Sequence, residues 1–343
     1  MEKHTKVCVT GGSSFLGSWL IKKLLQKGYT VHATLRNLAD PVKSGLLKGL
    51  PNADTLLRLF EADIYNADEF GRAIQGCHYV IHMATPLQHD PSKGTQFKDT
   101  SEAAVAGIKS IVQSCNRSGT VKRLIYTASV VAASPLKEDG TGFKDLADES
   151  CWTPLKVPFK YSIDSSTAYV HSKTLSEKEV FTHSSEIEIV SIACGLVGGD
   201  TLVSPMPQSM GMLISQPTKN MMSYQMLRFL EELLGKVPFL HIEDVCEAHI
   251  FCIEHPSING IFLCASSYLI TSAEIAGHFQ ENHPDINLRK EFVENSRRTI
   301  TWGSTKLTDV GFEYKFNAKM ILEDTLKYAQ KIGEFDPSFK GFN

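Results

Sequence analysis

The stretch from Val7 to Leu35 limits the possible folds more than any other part of the chain. Val7, Cys8 and Val9 read as an apolar strand, followed by a turn of small residues, Thr10, Gly11, Gly12, Ser13, Ser14, Phe15, Leu16 and Gly17. Ser18 to Lys27 has the periodicity of an amphipathic helix closed by Gly28, and Thr30 to Leu35 reads as a second strand. Strand, tight turn, helix and strand in that order predict a βαβ unit. A turn of this kind aims backbone N–H groups and a helix N-terminus at whatever lies above it, which suits a pyrophosphate.

The alternation continues along the chain. Leu57 to Ala62, Tyr79 to Met83, Leu124 to Thr127 and Ile187 to Ala193 read as buried strands, with helical stretches between them. The expected fold class is α/β, a Rossmann-type doubly wound parallel sheet with right-handed crossovers and a smaller, interleaved C-terminal substrate-binding portion. Residues 1–193 are expected to form the nucleotide-binding domain and 194–343 mainly the substrate-binding portion, with segments around 239–265 returning to the first. No internal repeat, low-complexity tract or linker interrupts the pattern.

Where the second strand ends, the acidic residue that usually holds a ribose 2'-hydroxyl is missing. Arg36 stands there instead, with Lys43 further on. Positive charge at this place favours the 2'-phosphate of NADP(H) over NAD(H). Asp40 is close, but a loop aspartate is no obvious ribose ligand.

Proton chemistry is suggested by YVHSK at 169–173, which sets Tyr169 and Lys173 four residues apart, on one face if the stretch is helical. A phenol with a pKa near ~10 exchanges protons poorly at neutral pH, and a fixed ammonium lowers that pKa by roughly 1–3 units. The pair makes a tunable proton relay, and Ser129 stands just beyond the apolar run at 124–127.

Taken in order, the glycine turn, Arg36, Asp63, Ser129 and the Tyr169/Lys173 pair resemble the extended short-chain dehydrogenase/reductase family, from about Val7 to about Glu334. Within it the chain is similar to the plant branch of dihydroflavonol, anthocyanidin, vestitone and cinnamoyl-CoA reductases, and most of all to the HC-toxin reductases. The likeness is carried by GYTVHATLRN from Gly28, TASVVAASPL from Thr127, ESCWTPL from Glu149, CGLVGGDT from Cys194 and HIEDVCEA from His241. It implies an NADPH/NADP cofactor whose phosphates lie at Gly11, Ser14, Phe15, Leu16, Gly17, Arg36 and Lys43. Asp63 and Ile64 would contact the adenine, with Met83, Ala84 and Thr85 along the cofactor and Cys194, Leu196 and Val197 near its nicotinamide. By the same resemblance, Ser129 orients the substrate carbonyl, Tyr169 protonates it and Lys173 holds the nicotinamide ribose, while the hydride comes from the cofactor.

The chain also departs from that family's pattern. Ser14 replaces the middle glycine of GxxGxxG. Its hydroxyl is expected to donate to phosphate; the other outcome is that its bulk weakens the cofactor site. Cys194 and Gly195 stand where dihydroflavonol reductases have a proline, and Ser134 where they carry an asparagine that binds the flavonoid hydroxyls. Ser134 therefore argues against a dihydroflavonol substrate. The cinnamoyl-CoA reductase signature around the tyrosine is absent.

After Thr201 the character changes, with six of the nine methionines between Met206 and Met226. Unbranched thioethers line adaptable apolar surfaces, so Met206 and Met210 are expected, with Ser134, to border a pocket for a bulky, apolar or aromatic molecule. A methionine-rich core is the plainer alternative. Lys219 and Arg228 are the only positive charges between 201 and 235, which disfavours a nucleotide-sugar substrate. His241 to Val245 reads as a structural turn without chemistry.

Net charge near −3 gives no hint of nucleic acid, and no apolar run approaches the ~20 residues of a membrane span. Eight cysteines without a CxxC pair or metal-ligand spacing, and an N-terminus leading directly into a strand, point to a reduced, cytoplasmic protein with no metal. His82 and His171 are expected to pack or hydrogen-bond locally. The partner is expected to be a small-molecule carbonyl compound, and the protein a monomer or at most a weak homodimer. NADPH-dependent carbonyl reduction is the expected activity. Reduction of a conjugated flavonoid, as in anthocyanidin reductase, and a non-catalytic NADP(H)-binding sensor are the alternatives.

Overall fold

The structure, a computed structural model, describes residues 5–86, 89, 96–182, 187–265, 269–292 and 300–335. It opens on the expected βαβ unit: β1 (Lys6–Thr10), α1 (Phe15–Gln26) and β2 (Thr30–Leu35). α1 begins at Phe15, before the predicted Ser18, because Ser14 caps it by accepting from the Gly17 amide at 3.1 Å. Next come α2 (Pro41–Lys48), α3 (Ala53–Leu56), β3 (Leu57–Glu61), a 3-10 turn over Ile64–Glu69, α4 (Phe70–Ile74) and β4 (Tyr79–His82). α5 (Thr100–Ser118) runs from its cap Asp99 to Gly119, whose φ of 63° ends it. It is followed by β5 (Arg123–Ser129), β6 (Leu146–Ala147), α6 (Asp164–Val180), β7 (Glu188–Cys194) and β8 (Leu196–Gly198). Then come α7 (Gln208–Leu213), α8 (Met221–Leu234), β9 (Val237–His241), α9 (Ile242–Glu254), β10 (Gly260–Cys264) and β11 (Leu269–Ile270). α10 (Ser272–Asn282), β12 (Thr301–Trp302), α11 (Lys306–Asp309) and α12 (Ala318–Lys331) complete the order.

The main sheet has seven strands in the order β10-β7-β5-β4-β1-β2-β3. β1 pairs in parallel with both β2 and β4, β2 with β3, and β4 with β5. Strand order reverses between β1 and β4, and ligands of open α/β sheets bind beyond the strand C-termini at such a switch point. This is the doubly wound Rossmann sheet expected from the alternation.

The chain divides into two compact units, the first comprising 1–132, 164–193 and 246–262, the second 133–163, 194–245 and 263–343. The expected boundary after Ala193 coincides with one crossing. Residues 133–163, which that expectation kept with the nucleotide-binding domain, group with the second unit, and 246–262 lie in the first. Within the first unit the buried Arg123 accounts for the return of 246–262. Its guanidinium pairs with Glu188 at the start of β7 and donates to the carbonyls of Cys252 and, at 2.9 Å, His255. A buried guanidinium must fill its donors in this way or cost several kcal/mol.

The second unit has its own core, where Leu213, Phe239, Phe279, Phe292 and Leu326 pack together. His241 to Val245, expected as a turn, runs from the end of β9 into α9 and is structural. Asp244 is buried and accepts from the amides of Lys315 and Phe316, and His241 stacks on Phe316 with ring centroids 3.8 Å apart. The methionines mostly pack. Met212 and Met226 belong to the core, Met206 packs against it and Met210 has no exposed surface, whereas Met221 and Met222 on α8 are exposed. Met210 therefore fills the interior instead of bordering a pocket. Ser134 is likewise inside: it is fully buried, its hydroxyl donating to the Leu233 carbonyl while accepting from the Leu136 amide. A hydroxyl so engaged anchors its loop, and with its hydrogen spent and no surface exposed it does not border a pocket.

Candidate active site

The glycine turn is held by steric necessity. Gly11 adopts φ +71°, which side-chain-bearing residues rarely tolerate. A Cβ at Gly17 would lie 2.4 Å from the Gly11 carbonyl oxygen. Thr34 on β2 fixes the turn, accepting from the Gly11 amide through its hydroxyl and from the Gly12 amide through its carbonyl. Among the described residues, the amides of Phe15 and Leu16 at the first turn of α1 find no acceptor within the chain. Two free amides at the N-terminus of a helix of 12 residues fit a dinucleotide pyrophosphate.

Ser14 does more than replace a glycine. It is exposed, with φ −77° and ψ 170°, and its oxygen caps α1. The cap consumes a lone pair and leaves the hydroxyl hydrogen available for a phosphate oxygen.

Arg36 is exposed at the C-terminal end of β2. The Tyr65 phenol lies in the field of both Arg36 and Asp63; burial and Asp63 push its pKa up and Arg36 opposes them. Lys43 is more compromised than expected, because Asp40 caps α2 and also pairs with Lys43 at 3.3 Å. Asp63 caps the 3-10 turn through the Tyr65 amide at 3.0 Å. Ile64 is buried against α5, where a Cβ on Gly107 would sit 2.4 Å from its Cδ1, so its side chain belongs to the core.

The proton-relay residues come from α6 and β5, which pack against each other. Tyr169 is half-buried and Lys173 buried on α6, as four-residue spacing on a helix requires. Lys173 Nζ donates to Thr85 Oγ1 at 2.9 Å and to the Thr127 carbonyl at 2.8 Å, and lies 5.9 Å from the Tyr169 ring centroid. Thr127 is itself held through its hydroxyl by His249 Nε2 at 2.9 Å. Ser129 ends β5 with its Oγ accepting a long 3.4 Å bond from the Val131 amide, so its hydrogen stays free for another acceptor. Met83 and Ala84 give their amides to Thr10 Oγ1. Of the remaining expected cofactor residues, Cys194, Leu196 and Val197 are buried in the second unit, where the Gly195 amide donates to the Cys264 carbonyl.

Two buried titratable groups surround the lysine. Thr10 Oγ1, with both lone pairs taken by amides, gives its hydrogen to His82 Nδ1 at 2.8 Å. Burial, then the charge of Lys173, lowers the His82 pKa to about 3 and keeps the imidazole neutral. Glu177 behaves oppositely, with burial raising its pKa to about 7 against the pull of Ser191 and Lys173.

These shifts set opposite pH slopes. The stability from the raised Glu177 is complete below 4.5 and is lost as pH rises through about 7. That from the depressed His82 is present above 6.5 and is lost as pH falls towards about 3. From pH 4.5 to 6.5 the two largely offset each other, each changing by about 1.4 kcal/mol per pH unit. Glu177→Gln is expected to unmask the histidine, so that Tm falls more steeply on acidification than in the unaltered protein. Thermal melts across this range check it, and parallel curves for the two proteins would count against it.

His82 hydrogen-bonds and packs locally as expected, whereas Glu177, Thr127 and His249 escaped the sequence reading. Only Glu177 had a visible signal, standing four residues beyond Lys173 on the same helical face.

A Rossmann sheet with an open glycine turn and a Ser, Tyr and Lys set on β5 and α6 defines an oxidoreductase that uses a nicotinamide cofactor. The NAD dependent epimerase/dehydratase family matches residues 7–265. Dihydroflavonol 4-reductase of Gerbera hybrida is 35% identical over 96% of this chain and 86% of its own length. Anthocyanidin reductase of Arabidopsis thaliana is 32% identical over 96% and 95%. Vestitone reductase from alfalfa superposes with a TM-score of 0.76 at 29% identity, covering 96% of this chain and 99% of that one. The chain belongs to the NAD dependent epimerase/dehydratase family, and the resemblance to its plant reductase branch stands. Among the described residues no group of histidine, cysteine, aspartate or glutamate side chains is arranged to hold a metal ion, and no helix is long and apolar enough to cross a membrane.

Proposed function

We propose that this protein uses NADPH to reduce a ketone or aldehyde carbonyl on a bulky, largely apolar or aromatic plant specialised metabolite or toxin, with Tyr169 as proton donor. The observation that carries this reading is the fixed position of Lys173, bonded to Thr85 and Thr127 beside the Tyr169 ring. Relatives named for reduction of dihydroflavonols, anthocyanidins and vestitone support it.

Bound NADPH supplies the hydride that reaches the carbonyl carbon. Gly11, Ser14, Phe15, Leu16 and Gly17 would hold its pyrophosphate, and Arg36 its 2'-phosphate. Ser129 directs its free hydroxyl hydrogen at the carbonyl oxygen. Tyr169 transfers its phenolic proton to that oxygen as negative charge develops there, and the ammonium of Lys173 stabilises the phenolate left behind. General acid catalysis of this kind contributes about 10²–10⁴-fold.

The test is NADPH consumption by purified protein against a panel of aromatic ketones and aldehydes. Tight NADPH binding with no turnover of any member would overturn the reading. The anthocyanidin reductase relative supports a second one, reduction of a conjugated flavonoid, which product analysis separates from ketone reduction. Arg36→Ser is expected to weaken NADPH binding about ten- to a hundredfold, the loss of a charge-assisted contact, and to leave NADH binding nearly unchanged. Fluorescence titration with both cofactors measures it, and equal losses for the two would remove Arg36 from the 2'-phosphate site. A cytoplasmic monomer or weak homodimer belongs to the same proposal, in keeping with eight buried cysteine thiols.

A further inference from the structure

We propose that Glu177 is a positioning residue of the catalytic pair: its carboxyl group, one helical turn beyond Lys173, sets how much of the ammonium's charge reaches the Tyr169 phenol. The inference rests on the reading of Tyr169 as proton donor and adds a residue to it.

Tyr169, Lys173 and Glu177 follow one another at four-residue intervals on α6, so all three share a face. Lys173 and Glu177 are both buried, with 4% and 1% of their surfaces exposed. Ser191 on β7 donates its hydroxyl to Glu177 Oε1, and one hydroxyl is a thin shell for a buried carboxylate. The groups that face it are Lys173 on its own helix, Tyr126 on β5 and Ser191 on β7. His82 on β4 stacks on Tyr126 and is neutral, and α5, packed along α6, buries no carboxylate or amine. The charges of Glu177 and Tyr169 both act on the buried Tyr126 phenol, and Lys173 Nζ lies 5.4 Å from the Tyr126 ring centroid.

The consequence is electrostatic. An ionised Glu177 cancels part of the ammonium's field, so the phenol keeps its proton further into the alkaline range. A neutral residue at the same place leaves Lys173 unopposed, and the phenol ionises earlier. Because a proton donor must be protonated, the rate of reduction falls as pH rises through the Tyr169 pKa.

Glu177→Gln is therefore expected to move the alkaline limb of the kcat profile to lower pH by about half to one unit. Glu177→Asp keeps the charge while shortening the side chain and disturbing the packing, and its limb is expected to stay in place. An unmoved limb in Glu177→Gln, or an equal displacement in both variants, would overturn the inference. Should the glutamine variant fold poorly, Glu177→Met fills the same space without charge and is expected to give the same shift. Tyrosinate absorbance provides a readout independent of turnover. The difference titration between the protein and its Tyr169→Phe variant isolates the Tyr169 phenol, whose ionisation should move down in Glu177→Gln. A Tyr169→Phe variant as active as the parent would sink the proton-donor reading itself, and the absorbance titration still reports whether Glu177 controls the phenol.

Discussion

Tyr169→Phe is expected to lower kcat for carbonyl reduction by about 10³-fold while NADPH affinity stays within about threefold. Phenylalanine keeps the ring that lies 5.9 Å from Lys173 Nζ and removes only the oxygen that delivers the proton. Lys173 keeps its bonds to Thr85 and Thr127, so its place at the cofactor is not disturbed. Single-turnover and steady-state kinetics with equilibrium binding separate the two effects. A fall of less than about tenfold in kcat would assign the proton to another donor.

Gly17→Ala is expected to cost at least about a hundredfold in NADPH affinity and to lower Tm by several degrees. The added Cβ would meet the Gly11 carbonyl oxygen at 2.4 Å, a backbone atom that cannot rotate away. Relief requires the turn to open, and that moves the Phe15 and Leu16 amides off the phosphate position. Gly28→Ala is the internal comparison. Its Cβ meets nothing within 4 Å and only the φ of +85° opposes it, so it should lose stability and keep cofactor affinity. Binding isotherms and melts on both variants settle the contrast; equal cofactor affinities would mean that the turn is not the binding element.

The first βαβ unit was legible because its signals are local. The apolar run of β1, the small-residue turn and the stop at Gly28 all lie within a few residues of the structure they dictate, and β2 falls on Thr30–Leu35 as read. Helix α6 was legible for the same reason, since the Tyr169 and Lys173 spacing carries its own geometry. What could not be read depends on residues that meet from far along the chain. His249 supports Thr127 across 122 positions, and Ser134 is turned inward by the carbonyl of Leu233, 99 positions away. The methionines show the same limit. Composition announced an adaptable apolar region, but whether Met210 lines a pocket or fills a core depends on which helix face the rest of the second unit covers. Lys43 is a smaller instance, its charge matched by the Asp40 that also starts α2.

Position 14 sits at φ −77° and ψ 170°, angles open to every L-residue, and its side chain serves the helix that follows. Nothing in the backbone there demands glycine, whereas Gly11 and Gly17 have no substitute. A search that insists on three glycines would discard this chain, and with it any relative that starts its first helix on serine, threonine, aspartate or asparagine. The signature worth scanning for is two fixed glycines six residues apart with a helix-capping side chain midway between them.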